Sequence, residues 1–233
     1  MTTRRRRART DAEKGERRMD ILGAALELFE SAPSGLATVA AVAERAGLAK
    51  GTVYLYFTSR EAIYLALLED QLHAWLARFE DALPPMGEPP LPTGDPLESP
   101  PADEAVEAAT AFCAYPLTHR SMLRLASLAN ALLERNIEAA AALRFRRGFQ
   151  QRMSTLGARL DALLAVAPGT GRDLLHQGYA LLLGLWQLEE PAPVILEVMS
   201  GDEIETFGAD FERRAVAAVR SLWRGTVIAS TTP

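Results

Sequence analysis

The sequence predicts an all-α protein, and three observations predict it. Apolar residues recur at spacings of three and four along most of the chain. The strict apolar–polar alternation of half-buried strands is nearly absent. Proline and glycine cluster between the periodic segments, where they punctuate helices rather than interrupt them. Apolar residues at 48% and charged residues at 24% are those of a chain that buries a sizeable core, which excludes wholesale disorder. No run approaches the roughly 18 apolar residues of a membrane span; the nearest, 179–188, contains Gly184 and Gln187. The basic start, with Arg4–Arg7 and Arg9, runs into Asp11, Glu13 and Glu16 rather than an apolar stretch, so no signal peptide is expected. A single cysteine, Cys113, excludes an internal disulfide framework and a multi-thiolate metal site. A cytoplasmic protein with no membrane partner is expected.

The elements follow in order. A basic flexible arm is expected over 1–15. The first helix spans about 16–29, with Ile21, Leu22, Ala25, Leu28 and Phe29 on one stripe, and Ser31-Ala-Pro-Ser-Gly35 ends it. Thr38 precedes Val39 as an N-cap of a two-turn helix carrying Val42, Ala43 and Ala46, which Gly47 closes. A second short helix covers about 50–57, with Val53 and Phe57 turned inward alongside Leu48. Thr58 or Ser59 caps the next helix, and Glu61 stands three residues after Thr58 as in a capping box. That connecting helix, over 61–83, carries Ile63, Leu67, Leu68, Leu72, Trp75, Leu76 and Phe79. Eight of the 14 prolines then fall in 84–101, an extended loop dividing an N-terminal unit from a C-terminal one. Helices resume over about 103–114, 119–134 and 138–165. Pro168, Gly169 and Gly171 precede a helix over 172–188 that is apolar in nearly every direction and is therefore expected to be buried all round. The last helix, about 202–223, places Ile204, Phe207, Phe211, Ala215, Ala218 and Leu222 on one face.

The net charge of −5 conceals an asymmetry. Residues 1–60 hold 11 Lys/Arg against 7 Asp/Glu, and residues 61–233 hold 14 against 23. A basic first quarter on an acidic body points that end toward an anionic partner. Within it, the two short helices hinged on Ala46-Gly47-Leu48 have the arrangement of a helix-turn-helix, whose second helix enters a DNA major groove. That helix reads Lys50-Gly51-Thr52-Val53-Tyr54-Leu55-Tyr56-Phe57. Lys50 supplies a cation for phosphate, Gly51 permits close backbone approach, and Thr52, Tyr54 and Tyr56 carry hydroxyls for phosphate oxygens or base edges.

From Ala25-Leu26-Glu27-Leu28-Phe29, through Thr38-Val39-Ala40-Ala41-Val42-Ala43-Glu44-Arg45-Ala46-Gly47 and the Lys50–Phe57 stretch, to Thr58-Ser59-Arg60-Glu61, the chain resembles the TetR family of bacterial transcriptional regulators. The resemblance covers about 17–65. It implies a homodimer of helical subunits, each a DNA-binding head (16–60 here) followed by a larger ligand-binding and dimerising domain (102–233). It also implies that Thr38, Lys50, Gly51, Thr52, Tyr54, Tyr56 and Arg60 touch DNA, with Tyr54, Tyr56 and Arg60 mainly at phosphates. Ala49 departs from the family's usual capping Ser or Thr, and Leu55 from a frequent tyrosine. The proline-rich stretch is longer than the usual connector.

The resemblance further implies an apolar ligand cavity among the C-terminal helices, controlled by movement of the helix that begins near Ser59. Phe112, Tyr115, Asn130, Phe145, Met153, Tyr179, Trp186 and Gln187 are the lining candidates, combining large apolar faces with a few polar handles. Arg144, Arg146, Arg147 and Arg152 form either a solvated helix face or a site for an anionic ligand. His73, His119 and His176 lack ligand-spaced partners, so no metal is expected. With no phosphate-binding glycine loop, nucleophile elbow or acid–base cluster, neither a cofactor nor an enzymatic activity is expected. The functional expectation is a ligand-responsive DNA-binding regulator: a homodimeric repressor released from a palindromic double-stranded operator by a small apolar effector. The alternative is a small-molecule binding protein of the same fold that does not act through DNA; intact Lys50, Tyr54 and Tyr56 weigh against it.

Overall fold

A computed structural model describes residues 2–31, 35–85, 100–189, 195, 198, 199, 201 and 210–231. Among these residues every regular element is helical: α1 (Thr2–Ser31), α2 (Val39–Arg45), α3 (Lys50–Tyr54), α4 (Arg60–Ala82), α5 (Pro100–Thr118), α6 (Arg120–Leu128), a π-helical turn (Ala129–Leu133), a 3-10 turn (Glu134–Asn136), α7 (Ala139–Leu163), α8 (Thr170–Glu189) and α9 (Phe211–Thr231). Two compact units result. The first takes Met1–Asp70 with Leu125–Ala142, the second Gln71–Arg124 with Leu143–Pro233. The division falls inside α4, not at residue 60, so the start of that helix belongs to the first unit.

In the first unit α1 buries Ile21, Leu22, Ala24, Ala25 and Phe29, as its apolar stripe requires. The helix starts at Thr2, not at about residue 16. The backbone expected to form a loose arm instead continues the helix, through arginine, alanine, glutamate and lysine, which propagate helix well. Arg18 secures α1 from two sides, on Asp70 at 3.2 Å and over the Phe57 ring at 5.8 Å. Thr38 caps α2 as expected, its Oγ1 accepting the Ala41 N–H at 3.2 Å. Gly47, at φ +67°, ends α2 in a Schellman turn, with Leu48 N–H on the Ala43 carbonyl and Gly47 N–H on that of Glu44. Residues with a Cβ resist that left-handed backbone.

In the second unit Phe112 of α5 is the centre of the core. Its ring lies 4.6 Å from Trp75, 5.3 Å from Phe79 and 5.3 Å from Trp223. Both indoles are satisfied: Trp75 donates to the Phe112 carbonyl at 2.8 Å and Trp223 to that of Leu174 at 3.2 Å. Burial of Trp223 sets the face of α9, which buries Phe211, Ala215, Val219, Trp223 and Val227. Ala218 and Leu222, expected inward, are half-buried; Ile204 and Phe207 lie outside the described residues. Helix α5 starts at Pro100, where a missing N–H is harmless, and runs past Ala114 through Pro116. The single helix expected over 119–134 is broken by the π-helical turn.

The α7–α8 corner is built on glycine. A Cβ on Gly157 would stand 2.5 Å from the Arg172 backbone nitrogen, and one on Gly171 2.3 Å from the Gly157 carbonyl oxygen. Asp161 caps α8 from below, its carboxylate accepting Gly169 N–H at 2.7 Å and Gly171 N–H at 2.6 Å. Helix α8 is not enclosed all round within one chain. Leu174, Leu175, Gly178, Leu182 and Trp186 are buried, but Ala180, Gly184, Gln187 and Leu188 form an exposed strip, with Leu188 77% exposed.

Candidate nucleic-acid interface

Helix α3 is short because its sequence supplies little to extend it. Ala49 sits at the N-cap without a side-chain hydrogen bond, and Leu55 already forms the C-cap. Backbone bonds from Tyr56 and Phe57 to the Val53 carbonyl carry the helical path on to Phe57. Val53 and Phe57 are buried and anchor this path to the first unit. Lys50, Gly51, Tyr54 and Leu55 are all exposed. Thr52 and Tyr56 are half-buried at the margin. The Lys50 Nζ lies 5.9 Å from the centre of the Tyr54 ring, so cation and phenol form one flank. Nothing lies within 4 Å of where a Cβ on Gly51 would point. The structure thus brings together Lys50, Gly51, Thr52, Tyr54 and Tyr56, as the sequence predicts, while Thr38 stands exposed at the start of α2.

Arg60 has contacts within the chain besides its expected role. Its guanidinium is forked on Glu61 Oε1 at 2.9 and 3.2 Å and also donates to the Leu36 carbonyl at 3.4 Å. These contacts brace the chain before α2. The cap of α4 is Ser59, whose Oγ accepts the Ala62 N–H at 3.1 Å; Thr58 is exposed, and Glu61, paired with Arg60, closes no capping box. One bracing residue is absent from the sequence reading. Tyr64, fully buried among apolar residues, accepts the Ala37 N–H on its hydroxyl at 3.1 Å. Arg60 and Tyr64, one turn apart on α4, thereby hold the strand of chain that leads into α2. The spacing Arg60-x-x-x-Tyr64 is the signal that was available.

The cavity candidates are less convergent. Phe112 and Tyr179 both pack on Trp75, at 4.6 and 5.6 Å, and Tyr179 also meets Phe149 at 5.4 Å. Trp186 packs edge-on against Phe211 at 5.4 Å. Phe145 and Met153 are buried, whereas Gln187 is exposed. Tyr115 stacks on His119 at 3.8 Å, its hydroxyl pushed up from the usual phenol range by burial and partly drawn back by Arg78. Asn130 lies in the π-helical turn of the first unit, its side chain outside the described residues. Sequence reading missed Gln71, a buried amide whose Nε2 donates to Ser121 at 3.4 Å while Oε1 has no partner among the described residues. Trp186 Nε1 and His176 Nε2 are likewise buried without a partner among the described residues. Burial pushes the Cys113 thiol up to about 12, which suits a packing residue rather than a reactive one. Arg144, Arg146 and Arg147 are exposed, and Arg152 pairs with Glu80 at 3.3 Å.

A two-turn helix, a left-handed glycine turn and a short helix with an exposed, cationic and hydroxylated outer face define a helix-turn-helix DNA-binding protein. Residues 21–67 match the profile of bacterial regulatory proteins of the tetR family, and residues 69–229 that of the tetracyclin repressor-like C-terminal domain. The chain belongs to the TetR family of transcriptional regulators. It is 32% identical over 69 residues to the fatty acid metabolism regulator protein of Bacillus subtilis (strain 168), a match spanning 30% of this chain and 36% of that protein. Its fold is that of a transcriptional regulator from Rhodococcus sp. Rha1 (17% identity, 93% and 99% of the two chains, TM-score 0.56). A protein assigned to the TetR family from Mesorhizobium loti MAFF303099 is similar (17% identity, 92% and 96%, TM-score 0.55). Among the described residues no helix is long and apolar enough to cross a membrane.

Proposed function

We propose that this chain is a cytoplasmic, homodimeric repressor that binds a partly palindromic operator through α3 and is released by a small apolar effector. The outer face of α3 carries the DNA part of the reading. It combines an exposed cation, two tyrosines and bare glycine backbone in a helix whose other side is locked into the first unit. A twofold dimer presents two such helices to half-sites about 34–36 Å apart. The strip Ala180, Gly184 and Leu188 on α8 supports dimerisation, because small residues let a second copy approach closely and an exposed leucine gains from being covered. Regulation would run through α4, whose first turns brace the chain before α2 and whose remainder belongs to the second unit.

For the effector, the aromatic residues around Trp75 offer apolar surface, and Gln71 Oε1 and Trp186 Nε1 offer unpaired polar atoms. The Bacillus subtilis relative is by name a regulator of fatty acid metabolism. Compounds with a long alkyl chain and a polar head are therefore the first class to test. The experiment titrates full-length protein onto DNA upstream of its own gene, at several salt concentrations, with and without such compounds. Sequence-specific, salt-dependent binding by a particle of about twice 25.3 kDa is expected. Lys50→Ala should lower the salt slope by about one per subunit. The effector and operator should weaken each other by one common factor, within roughly 5- to 150-fold. A monomer, or DNA binding indifferent to Lys50, would overturn the reading. An effector indifferent to operator would overturn its regulatory half.

A further inference from the structure

The centre of the outward face of α3 is neither a tyrosine nor the lysine. On a helix of 3.6 residues per turn, Leu55 lies about 160° from both Val53 and Phe57, the two buried anchors. It is 83% exposed, more than Tyr54 at 47%, and is the most exposed large apolar side chain among the described residues. Gly51 stands one turn before it, with open space where a Cβ would be. Lys50 and Tyr54 flank this Gly51–Leu55 line on one side, Thr52 and Tyr56 on the other. The polar atoms of α3 side chains are therefore on the flanks, facing the two phosphate walls when the helix lies in a groove. Its middle presents bare backbone and a branched alkyl group.

We infer that Leu55 is a base-reading residue, selecting thymine through its C5-methyl group; this rests on the DNA-binding reading of α3. Leu55 has no donor or acceptor, so it cannot read a base edge by hydrogen bonding. In the major groove only thymine presents a methyl group, and apolar contact is the way a side chain reads it. A guanine, cytosine or adenine at that position would instead have its polar groove edge covered by alkyl and left without water or partner. The side chain makes this face discriminate at one base pair per half-site by its methyl group, beside whatever the flanking hydroxyls read.

The test selects duplexes from a random-sequence pool with the full-length protein and replaces each thymine of the selected half-site in turn by deoxyuridine, which removes only the methyl group. One position per half-site should respond, weakening wild-type binding about three- to fivefold, as expected for loss of one buried methyl. Leu55→Ala should bind the thymine site more weakly and be indifferent to deoxyuridine at that position. Because Leu55 is so exposed, this variant should fold like the wild type, with an unchanged thermal midpoint. Wild-type binding indifferent to every replacement, or Leu55→Ala keeping the full methyl sensitivity, would overturn the inference while leaving salt-dependent, sequence-specific binding intact. Failure to enrich any sequence would overturn the groove assignment of α3 and the inference with it.

Discussion

Gly51 separates the two demands placed on α3, folding and approach to DNA, because only one of them needs a glycine there. A Cβ at this position meets nothing within 4 Å, and the backbone does not adopt the left-handed region. Gly51→Ala should therefore be tolerated by the fold. Replacing a helical glycine with alanine removes conformational freedom from the unfolded chain and gains at most about 0.5–1 kcal/mol. For a chain of this size that is a rise of roughly 1–4 °C in thermal midpoint. The added carbon projects about 1.5 Å, one carbon–carbon bond, from the face proposed to approach DNA. Hydrogen bonds to phosphate tolerate only about 0.5 Å in length, so backing the helix away by that distance breaks contacts from Lys50, Tyr54 or Tyr56. Losing one bond to a charged oxygen, about 1.5–3 kcal/mol, weakens binding roughly tenfold to a hundredfold. The assay pairs differential scanning calorimetry with fluorescence anisotropy on one operator duplex. Unchanged affinity would show that the backbone at Gly51 stays clear of the duplex. A lowered midpoint would show that the open space beside it is not open.

Two further predictions concern the second unit. Gly157→Ala should destabilise by about 1–3 kcal/mol in urea denaturation, because the new Cβ meets the backbone of Arg172 at 2.5–2.6 Å and neither helix can yield without disturbing the Asp161 cap; an unchanged midpoint would mean the α7–α8 corner is looser than its geometry. Stability should also fall at alkaline pH through Cys113. Its folded pKa of about 12 lies above the unfolded value near 9, so this contribution is complete below about pH 9 and is lost as pH rises toward 12, by up to about 1.4 kcal/mol per pH unit. Cys113→Ala should remove that part of the slope, and a slope identical in the two proteins would refute the assignment.

What sequence reading recovers and what it misses divide along a physical line. Faces and turns are written in residue order. The stripe of α1, the Thr38 cap, the Gly47 turn and the inward pair Val53 and Phe57 all follow from spacing. Partner choice is not written there. Thr58 and Ser59 are equivalent as caps until Ser59 takes the Ala62 N–H, and nothing in residue order shows that Arg60 also reaches the Leu36 carbonyl. The π-helical turn at Ala129–Leu133 leaves the apolar period nearly intact, so periodicity reads straight through it. Helix α9 shows the same limit, since Trp223 decides which of two overlapping stripes faces inward only once Phe112 is there to receive it.

The bracing of the chain before α2 constrains how a signal could reach the head. Tyr64 accepts the Ala37 N–H at 3.1 Å from a fully buried ring, and Arg60 donates to the Leu36 carbonyl at 3.4 Å. Both bonds are near the long end of useful length, so a slide of α4 by a few tenths of an ångström past residues 36–38 would break them. Breaking the first leaves a part-buried N–H without a partner, at about 1–3 kcal/mol. Carrying the segment along costs nothing of the kind. Thr38, which caps α2, is the next residue in the chain, and α2 is tied to α3 through the Gly47 turn. A displacement of the start of α4 therefore moves α2 and α3 with it. The outer face of α3 keeps its internal geometry and changes position, so on the proposed reading the distance between two such faces, rather than the order of either one, is the quantity an effector would act upon.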